Sequence, residues 1–564
     1  MTDASAPEAA DAPLTQPDPP AASLGRASAA LAAGTLVSRV LGFGSAAVLA
    51  WTIGPQNPGA NAFALANQLP NNIYAIVAAG VLSAVLVPQI VRAGLHADGG
   101  QRFVNRLVTL GVVVFLAATV IATLCAPLLV DLYTVDGDAT GGALGGGRSL
   151  AIAFAYWCLP QIFFYAIYSL LGEVLNARGV FGPFTWAPVL NNVVVIVALL
   201  SFAALYGVDP AHQDPASWGT GEIVLLAGGA TVGIAAQALV LLLFWRRTGL
   251  GFRPDFRWRG VGLGGAIQAA GWTFGMILVT QLAGIVQSKV AFTAGADDAS
   301  VAVIRIAWLI FMLPHSIIAV SIATPYFTRM SAHARDGDTA SVRDSLSSSL
   351  RTIGLLITGS AAALAVAALP FAAVFANAPR EVIGIAGVLL AYLIGLVPFS
   401  VLFLLQRAYY ALGDTRTPFL FQLVQAVLFV AGAVAVAVIV PDPLIAAGIA
   451  LVTSIAGTVQ AVVAAVLLRR RLGGGGGRRL VRRFGTYLLA TIPAAAVGVG
   501  ILLLLGGLPG DGGGFAVSGR IPGVVSVVVI GLVVGGIYLG TLALARVPEV
   551  RELGALVARI RRRA

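Results

Sequence analysis

Charge is what this chain has least of. Asp, Glu, Lys and Arg make up 10% of its 564 residues, where a soluble domain carries roughly 25%. With 58% of residues hydrophobic, a water-facing surface cannot be covered, and a soluble globular protein is excluded. Lysine is nearly absent. Lys289 is the only one, so the net charge of +11 is carried by arginine. Cysteine is scarce as well: Cys125 and Cys158 both lie in apolar runs, which excludes a disulfide framework and a cysteine metal site. His96, His212 and His333 fall in loops and His315 stands beside Pro314, with no metal-ligand spacing, so no metal site is expected. There is no Walker-type phosphate loop and no soluble-enzyme constellation, so neither ATP hydrolysis nor other catalysis is expected of the chain. Basic residues are missing from the opening "MTDASAPEAADAPLTQPDPPAAS", where a secretory signal would need them. Residues 1–25 are expected to be a retained, disordered cytoplasmic tail.

Apolar runs of bilayer-crossing length, about 20 residues, are abundant. They fall at 27–53, 62–91, 104–130, 149–175, 184–206, 221–245, 264–293, 300–325, 349–375, 382–410, 418–440, 444–468, 484–506 and 522–545, which predicts an all-α polytopic membrane protein with 14 transmembrane helices. Arginines collect in alternate connections: Arg92, Arg102 and Arg106 after span 2, Arg246 to Arg259 after span 6, and Arg469 to Arg483 after span 12. The opposite connections at 54–61, 207–220, 294–299 and 441–443 hold no Arg or Lys. Basic loops stay in the cytoplasm, so both termini are expected inside.

Two internal echoes relate spans 1–6 to spans 7–12. "VPQIVRAGLHADGG" (87–100) and "TPYFTRMSAHARDGD" (324–338) align Pro88, Arg92 and His96 with Pro325, Arg329 and His333. "LNARGVFGPF" (175–184) matches "YALGDTRTPF" (410–419). An even number of spans per copy gives two parallel six-helix lobes with a cleft between them, which is transporter architecture. The expected organisation is an N-lobe at 26–248, a C-lobe at 249–468, an Arg/Gly-rich cytoplasmic linker at 469–483, two further spans within 484–546 and a basic cytoplasmic end at 547–564.

The ionisable groups inside the spans are few, and all three deep ones are cations. Arg39 lies about twelve residues into span 1, roughly 18 Å along the helix at about 1.5 Å per residue, too deep to snorkel. Its cost there is at least about 2.5–3.5 kcal/mol, so it is expected to face a wet cleft or an anion. The alternative is a partner on another span or a helix-end carbonyl. Lys289 and Arg305, in spans 7 and 8, either snorkel outwards or continue a cationic ladder from Arg39. Unpaired cations in a cleft suit a negatively charged cargo, and guanidinium forks suit phosphate. "NAFALANQLPNNIY" (61–74) adds Asn67 and Asn71 around Pro70, where span 2 is expected to kink. Pro160, Pro314 and Pro398 repeat the device in spans 4, 8 and 10 as candidate hinges.

"SRVLGF" (38–43), "NAFALANQLPN", "LNARGVFGPFTWAPVLNN" (175–192), "LPHSIIAVSIATPYFTRMS" (313–331) and "RAYYALGDTRTPF" (407–419) resemble, in order and spacing, segments of the MurJ (MviN) family. These are lipid II flippases of the multidrug/oligosaccharidyl-lipid/polysaccharide (MOP) exporter superfamily, and the Arg-rich composition is most similar to their actinobacterial branch. The resemblance implies a V-shaped, MOP-like pair of lobes plus two C-terminal helices in the bacterial cytoplasmic membrane. It implies alternating access that moves an undecaprenyl-diphosphate-linked glycopeptide from the inner to the outer leaflet. It also implies that Arg39 meets the diphosphate; Ser38, Asn67 and Asn71 are the candidate neutral contacts in the cleft, and Lys289 and Arg305 are expected to assist on the outward path. Implied partners are that lipid, membrane lipid and the cell-wall synthesis machinery, with no nucleic acid and no cofactor beyond an unidentified coupling cation. Departures from the family pattern thin the charge: Ser45 and Ala46 replace an Arg-Asp pair, Asn61 an Asp, Tyr74 an Arg, Ala79 a Glu, and an apolar residue near Leu309 an Arg. The alternatives are export of another polyprenyl-linked glycan, drug/cation antiport, and a non-transporting scaffold for cell-wall enzymes.

Overall fold

The computed structural model describes residues 21–81, 98, 100–135, 142–180, 182–257, 263–473, 477–507 and 514–551, with the side chains of 21–32, 79–81 and 263–270 excepted. Residues 1–20 of the expected tail, Pro88, Arg92 and His96 of the first echo, 474–476 of the linker and 552–564 of the basic end lie outside the described residues. The described residues contain helices and connections, and no strand.

In the first half, α1 is Ala21–Ile53, α2 Pro58–Val81, α3 Gln101–Leu124, α4 Ala126–Tyr133, α5 Arg148–Cys158, α6 Gln161–Ala177, α7 Gly182–Tyr206 and α8 Thr220–Thr248. The second half has α9 Leu263–Ala291, α10 Val301–Arg335, α11 Thr339–Val366, α12 Ala368–Ala373, α13 Pro379–Leu393, α14 Leu396–Ala411, α15 Arg416–Ile439 and α16 Ile445–Arg471. Two more follow, α17 Gly477–Leu504 and α18 Arg520–Leu544. Among the described residues 12 helices are long and apolar enough to cross a membrane, or up to 13 when the bent pair α13–α14 is counted as one. The fourteenth expected span is represented by α2, whose carboxamide-rich sequence lowers its hydropathy and whose expected continuation to residue 91 lies outside the described residues.

The packing repeats itself. Helix α1 packs on α7 as α9 packs on α15; α2 on α5 as α10 on α13; α3 on α6 as α11 on α14; and α8 on α6 and α7 as α16 on α14 and α15. Two six-span lobes of the same topology follow, meeting where α2 packs against α9 and α10. Helices α17 and α18 pack on each other and on α11, outside the repeat. Glycines allow that contact: a Cβ at Gly359 would lie 2.6 Å from the Tyr538 ring, whose hydroxyl donates to Leu355 O at 2.8 Å.

Loop contacts sort the connections into two ends. Arg106 pairs with Asp255 at 3.0 Å, and Arg471 pairs with Asp414. These join arginine-rich connections at one end. At the other, Gln56 donates to Asp297 O at 2.8 Å, and Asn377 donates to Ala50 O and Asp209, both at 3.1 Å. The arginine-rich connections are therefore separated in space from the arginine-poor ones, where Arg380 pairs with Asp297 at 3.7 Å and Arg520 donates to Asn377.

Backbone groups freed inside the bilayer must be satisfied locally, and the proline sites show how. At Leu159–Pro160 the fourth span divides into α5 and α6, and the Thr231 hydroxyl caps the Trp157 carbonyl at 2.7 Å. After Pro314 the helix widens into a π turn at His315–Ala319. Near Pro398 the chain bends by 45° between α13 and α14, and Ser454 Oγ donates to Ala391 O at 2.7 Å. Pro70 behaves otherwise. Helix α2 continues through it unbroken, held on either side by Asn61, by Asn67 accepting from Gln161 at 3.2 Å and by Asn72 donating to Tyr133 at 3.2 Å.

Candidate functional site: a cleft between the lobes

A cavity of about 920 Å³ lies between the lobes, near the upper end of the roughly 300–1,000 Å³ of small-molecule clefts. Helices α1 and α2 form one wall and α9, α10, α14, α15 and α16 the other. The α2 wall presents Asn67, Gln68, Asn71 and Asn72. A helix places residues three and four apart on one face, so the two Asn/Gln pairs around Pro70 form one polar stripe.

The cavity is sealed at the arginine-poor end. Asn61, fully buried, donates from Nδ2 to Ala143 O at 3.0 Å and accepts from Ala302 N at 3.1 Å, thereby stitching α2 to the start of α10. Ala143 N donates to Phe292 O at 3.2 Å. One turn deeper, Arg305 donates to Ala64 O across the same seam. The Arg305 ladder position is thus occupied by a helix carbonyl in this conformation.

Arg39 and Ser38 lie outside the cavity lining, a turn from the lining residue Gly42 towards the arginine-rich end. Both are half-buried. The Ser38 carbonyl accepts from Asn192 Nδ2 at 2.9 Å, which fixes this stretch of α1 against α7. Arg39 has no hydrogen bond or ion pair among the described residues. That leaves an unpaired guanidinium on α1 one turn from the cavity lining. Lys289 is half-buried beside the lining residue Ser288, does not itself line the cavity, and has no ion pair among the described residues. The structure therefore gathers Asn67, Asn71 and Arg305 around one cavity, with Arg39 and Ser38 nearer its arginine-rich end and Lys289 set aside.

Sequence reasoning overlooked the second wall. Gln281, Gln287, Gln406, Gln422, Gln425 and Gln460 all line the cavity from the C-lobe. Gln460 Nε2 donates to Gln422 Oε1 at 2.9 Å, and Gln422 Nε2 donates to Gln425 Oε1 at 3.0 Å and Thr280 Oγ1 at 3.3 Å. The signal was present: a carboxamide in an apolar span costs free energy unless it is paired or wet, and these glutamines recur across four C-lobe spans. Among the described residues no group of three or more His, Cys, Asp or Glu side chains is placed to hold a metal ion.

Two parallel six-helix lobes around a polar cleft, one end sealed by hydrogen bonds, define a multi-pass transporter of MOP type. Solved structures of that type share the fold: an inward-facing multidrug resistance MATE family transporter of the MOP superfamily has a TM-score of 0.60 at 19% identity, covering 77% of this chain and 94% of that one. A structure described as lipid II flippase MurJ in an inward closed conformation has a TM-score of 0.69 at 17% identity, covering 92% of this chain and 98% of that one. The family model described as "Lipid II flippase MurJ" matches residues 50–509, and the chain belongs to that family. Relatives named "Probable lipid II flippase MurJ" include one from Haemophilus influenzae, 26% identical over 411 residues, covering 68% of this chain and 75% of the relative. Another, from Rhizobium meliloti, is 26% identical over 452 residues, covering 78% and 79%.

Proposed function

We propose that this chain moves lipid II, a polyprenyl-diphosphate-linked glycopeptide, from the inner to the outer leaflet of the bacterial cytoplasmic membrane by alternating access. The arginine-rich end faces the cytoplasm, following the bias of basic loops, which puts both termini inside. The observation that carries the reading is Arg39, a guanidinium unpaired among the described residues one turn from the lining of a cleft that Asn61 and Arg305 close at the opposite end. Moving a diphosphate through hydrocarbon is prohibitive. A wet cleft that offers a cation at its cytoplasmic end lowers that barrier, and the tail stays in lipid.

Arg39, with Ser38, binds the diphosphate, and Asn67 and Asn71 contact the headgroup. Opening of the outer seam frees Arg305 from the Ala64 carbonyl, and Arg305 and Lys289 then meet the anion on its outward path. The breaks at Pro160, Pro314 and Pro398 absorb the movement of the lobes. No organic cofactor enters this scheme, and a coupling cation drives it only by binding the two states unequally. Delivery is to the cell-wall synthesis machinery on the outer face.

The test is transport by the purified chain in proteoliposomes given labelled lipid II and competing polyprenyl-diphosphate glycans, together with rescue of a strain depleted of its own lipid II flippase. Preferential movement of lipid II and rescue are expected. Preference for a glycan without a peptide stem, or growth without surface-exposed precursor, refutes the assignment.

A further inference from the structure

The cavity wall contributed by the C-lobe is polar without being charged. Its six glutamines come from α9, α14, α15 and α16, and they differ in how they are used. Gln460, Gln422 and Gln425 form one chain of hydrogen bonds at 2.9 and 3.0 Å, ending on Gln425 Oε1 and leaving the Gln425 amide nitrogen with no partner among the described residues. Gln281, Gln287 and Gln406 have no hydrogen-bond partner among the described residues, although each lines the cavity. On the facing wall, Gln68 and Asn71 are in the same position. Carboxamides held this way offer both donors and acceptors to whatever enters.

Charge is missing from the same surface. Arg305 is the only ionised group among the described lining residues, and its guanidinium is turned to the Ala64 carbonyl. No carboxylate lines the cavity among the described residues. Arg39 lies towards the arginine-rich end, outside the lining. The lining is therefore neutral apart from Arg305, whose guanidinium is engaged, while the unpaired Arg39 lies outside it. A carboxylate drawn against the glutamine wall while Arg305 is held by Ala64 loses hydration and gains no free cation, whereas an amide or hydroxyl gains a matched partner.

We propose that the glutamine wall selects a cargo headgroup in which the α-carboxylate of the second stem residue is amidated over the same lipid with that carboxylate free. The proposal rests on the lipid II reading and sharpens it into a specificity for amide over acid. The diphosphate, common to both lipids, does not discriminate between them. Selectivity is then a difference of affinities created by withholding a cation.

The experiment compares two lipid II preparations that differ only in the α-carboxylate or α-carboxamide of the second stem residue. Both are offered to the full chain in proteoliposomes and, in parallel, to the chain in nanodiscs for equilibrium binding. One unfavourable polar contact of about 1.4 kcal/mol is tenfold, so the amidated lipid is expected to bind and move about tenfold better. Gln425→Lys and Gln281→Lys each place a cation on the wall, and each is expected to reduce or reverse that ratio while Gln425→Asn leaves its direction unchanged. Equal binding and movement of the two lipids by the unaltered chain overturns the proposal, whatever the variants do. So does a ratio unchanged in a lysine variant that binds the lipids. Movement of neither lipid by the unaltered chain refutes the flippase reading itself, and the proposal falls with it.

Discussion

Arg305, on α10 of the C-lobe, donates to the backbone carbonyl oxygen of Ala64, on α2 of the N-lobe. A hydrogen bond from a charged donor contributes about 1.5–3 kcal/mol, and this one exists only while the arginine-poor end is shut. Arg305→Ala therefore moves the equilibrium towards the outward-open state by roughly ten- to hundredfold. With Cys125 and Cys158 replaced by alanine, a cysteine introduced at Val301 is expected to react with a membrane-impermeant maleimide added outside, and to react faster still in the Arg305→Ala background. An unchanged labelling rate would remove Arg305 from the seam.

Asn61 makes the complementary point, since both halves of its carboxamide are used. Its nitrogen donates to Ala143 O and its oxygen accepts from Ala302 N. Asn61→Asp keeps the acceptor, loses the donor and sets a carboxylate against a carbonyl oxygen in a fully buried position. The cost of that exchange is about 1–3 kcal/mol or more for a charged group, borne only by the sealed state. Outside labelling should rise as for Arg305→Ala, and the Arg305→Ala Asn61→Asp pair should exceed either change alone. Asn61→Ser, neutral but shorter, is expected to fall between wild type and Asn61→Asp.

How much of this was legible beforehand depends on the physics involved. The all-helical spans, the loop alternation and the twofold repeat of six spans follow from apolar run length and from arginine placement, which act one segment at a time, whereas the carboxamide-rich α2 falls short in apolarity. The breaks at Pro160 and near Pro398 follow from a missing N–H, yet Pro70 lies in an unbroken helix. Its outcome was set by neighbours on other helices, Gln161 and Tyr133, which local sequence cannot show. Arg39 and Arg305 were both read as candidate members of one cationic ladder, Arg305 with outward snorkelling as its alternative. Only the folded chain distinguishes them, one tied to Ala64 and the other unpaired among the described residues. The glutamine wall was not legible as one surface because its members are spread over α9, α14, α15 and α16 and converge only through packing.

Asp414 anchors the turn between α14 and α15. Its carboxylate accepts from Thr417 N at 3.0 Å and from the Thr417 hydroxyl at 2.8 Å, and it pairs with Arg471 at the end of α16. Burial works to raise its pKa, but the Thr417 donors and the Arg471 charge outweigh that and hold it below the ordinary carboxylate value. With the folded value the lower one, the stabilisation is complete above the unfolded value of about 3.9. It fades as pH falls below that point and through the folded value. The thermal unfolding midpoint of the detergent-solubilised chain should thus exceed that of Asp414→Asn at neutral pH by a nearly constant margin down to about pH 5. The margin should shrink towards zero in stronger acid. A margin independent of pH would assign the effect to shape rather than charge.

The unpaired guanidinium of Arg39 offers a test in which stability and transport move in opposite directions. A structural arginine is satisfied by its surroundings, so truncating it leaves acceptors unpaired and weakens the fold. Arg39 has no such partner among the described residues, and its half-buried charge carries a desolvation cost instead. Arg39→Ala should leave the unfolding midpoint unchanged or slightly higher. If the diphosphate is its partner, the same change removes a charge-assisted contact of about 1.5–3 kcal/mol, roughly ten- to hundredfold in transport. Arg39→Lys keeps the charge but loses the bidentate fork, and it is expected to recover part of the rate. Side-by-side measurement of unfolding midpoint and initial rate of lipid II movement for the three proteins checks this. Wild-type transport by Arg39→Ala, or a loss of stability matching the loss of transport, would return Arg39 to a structural role.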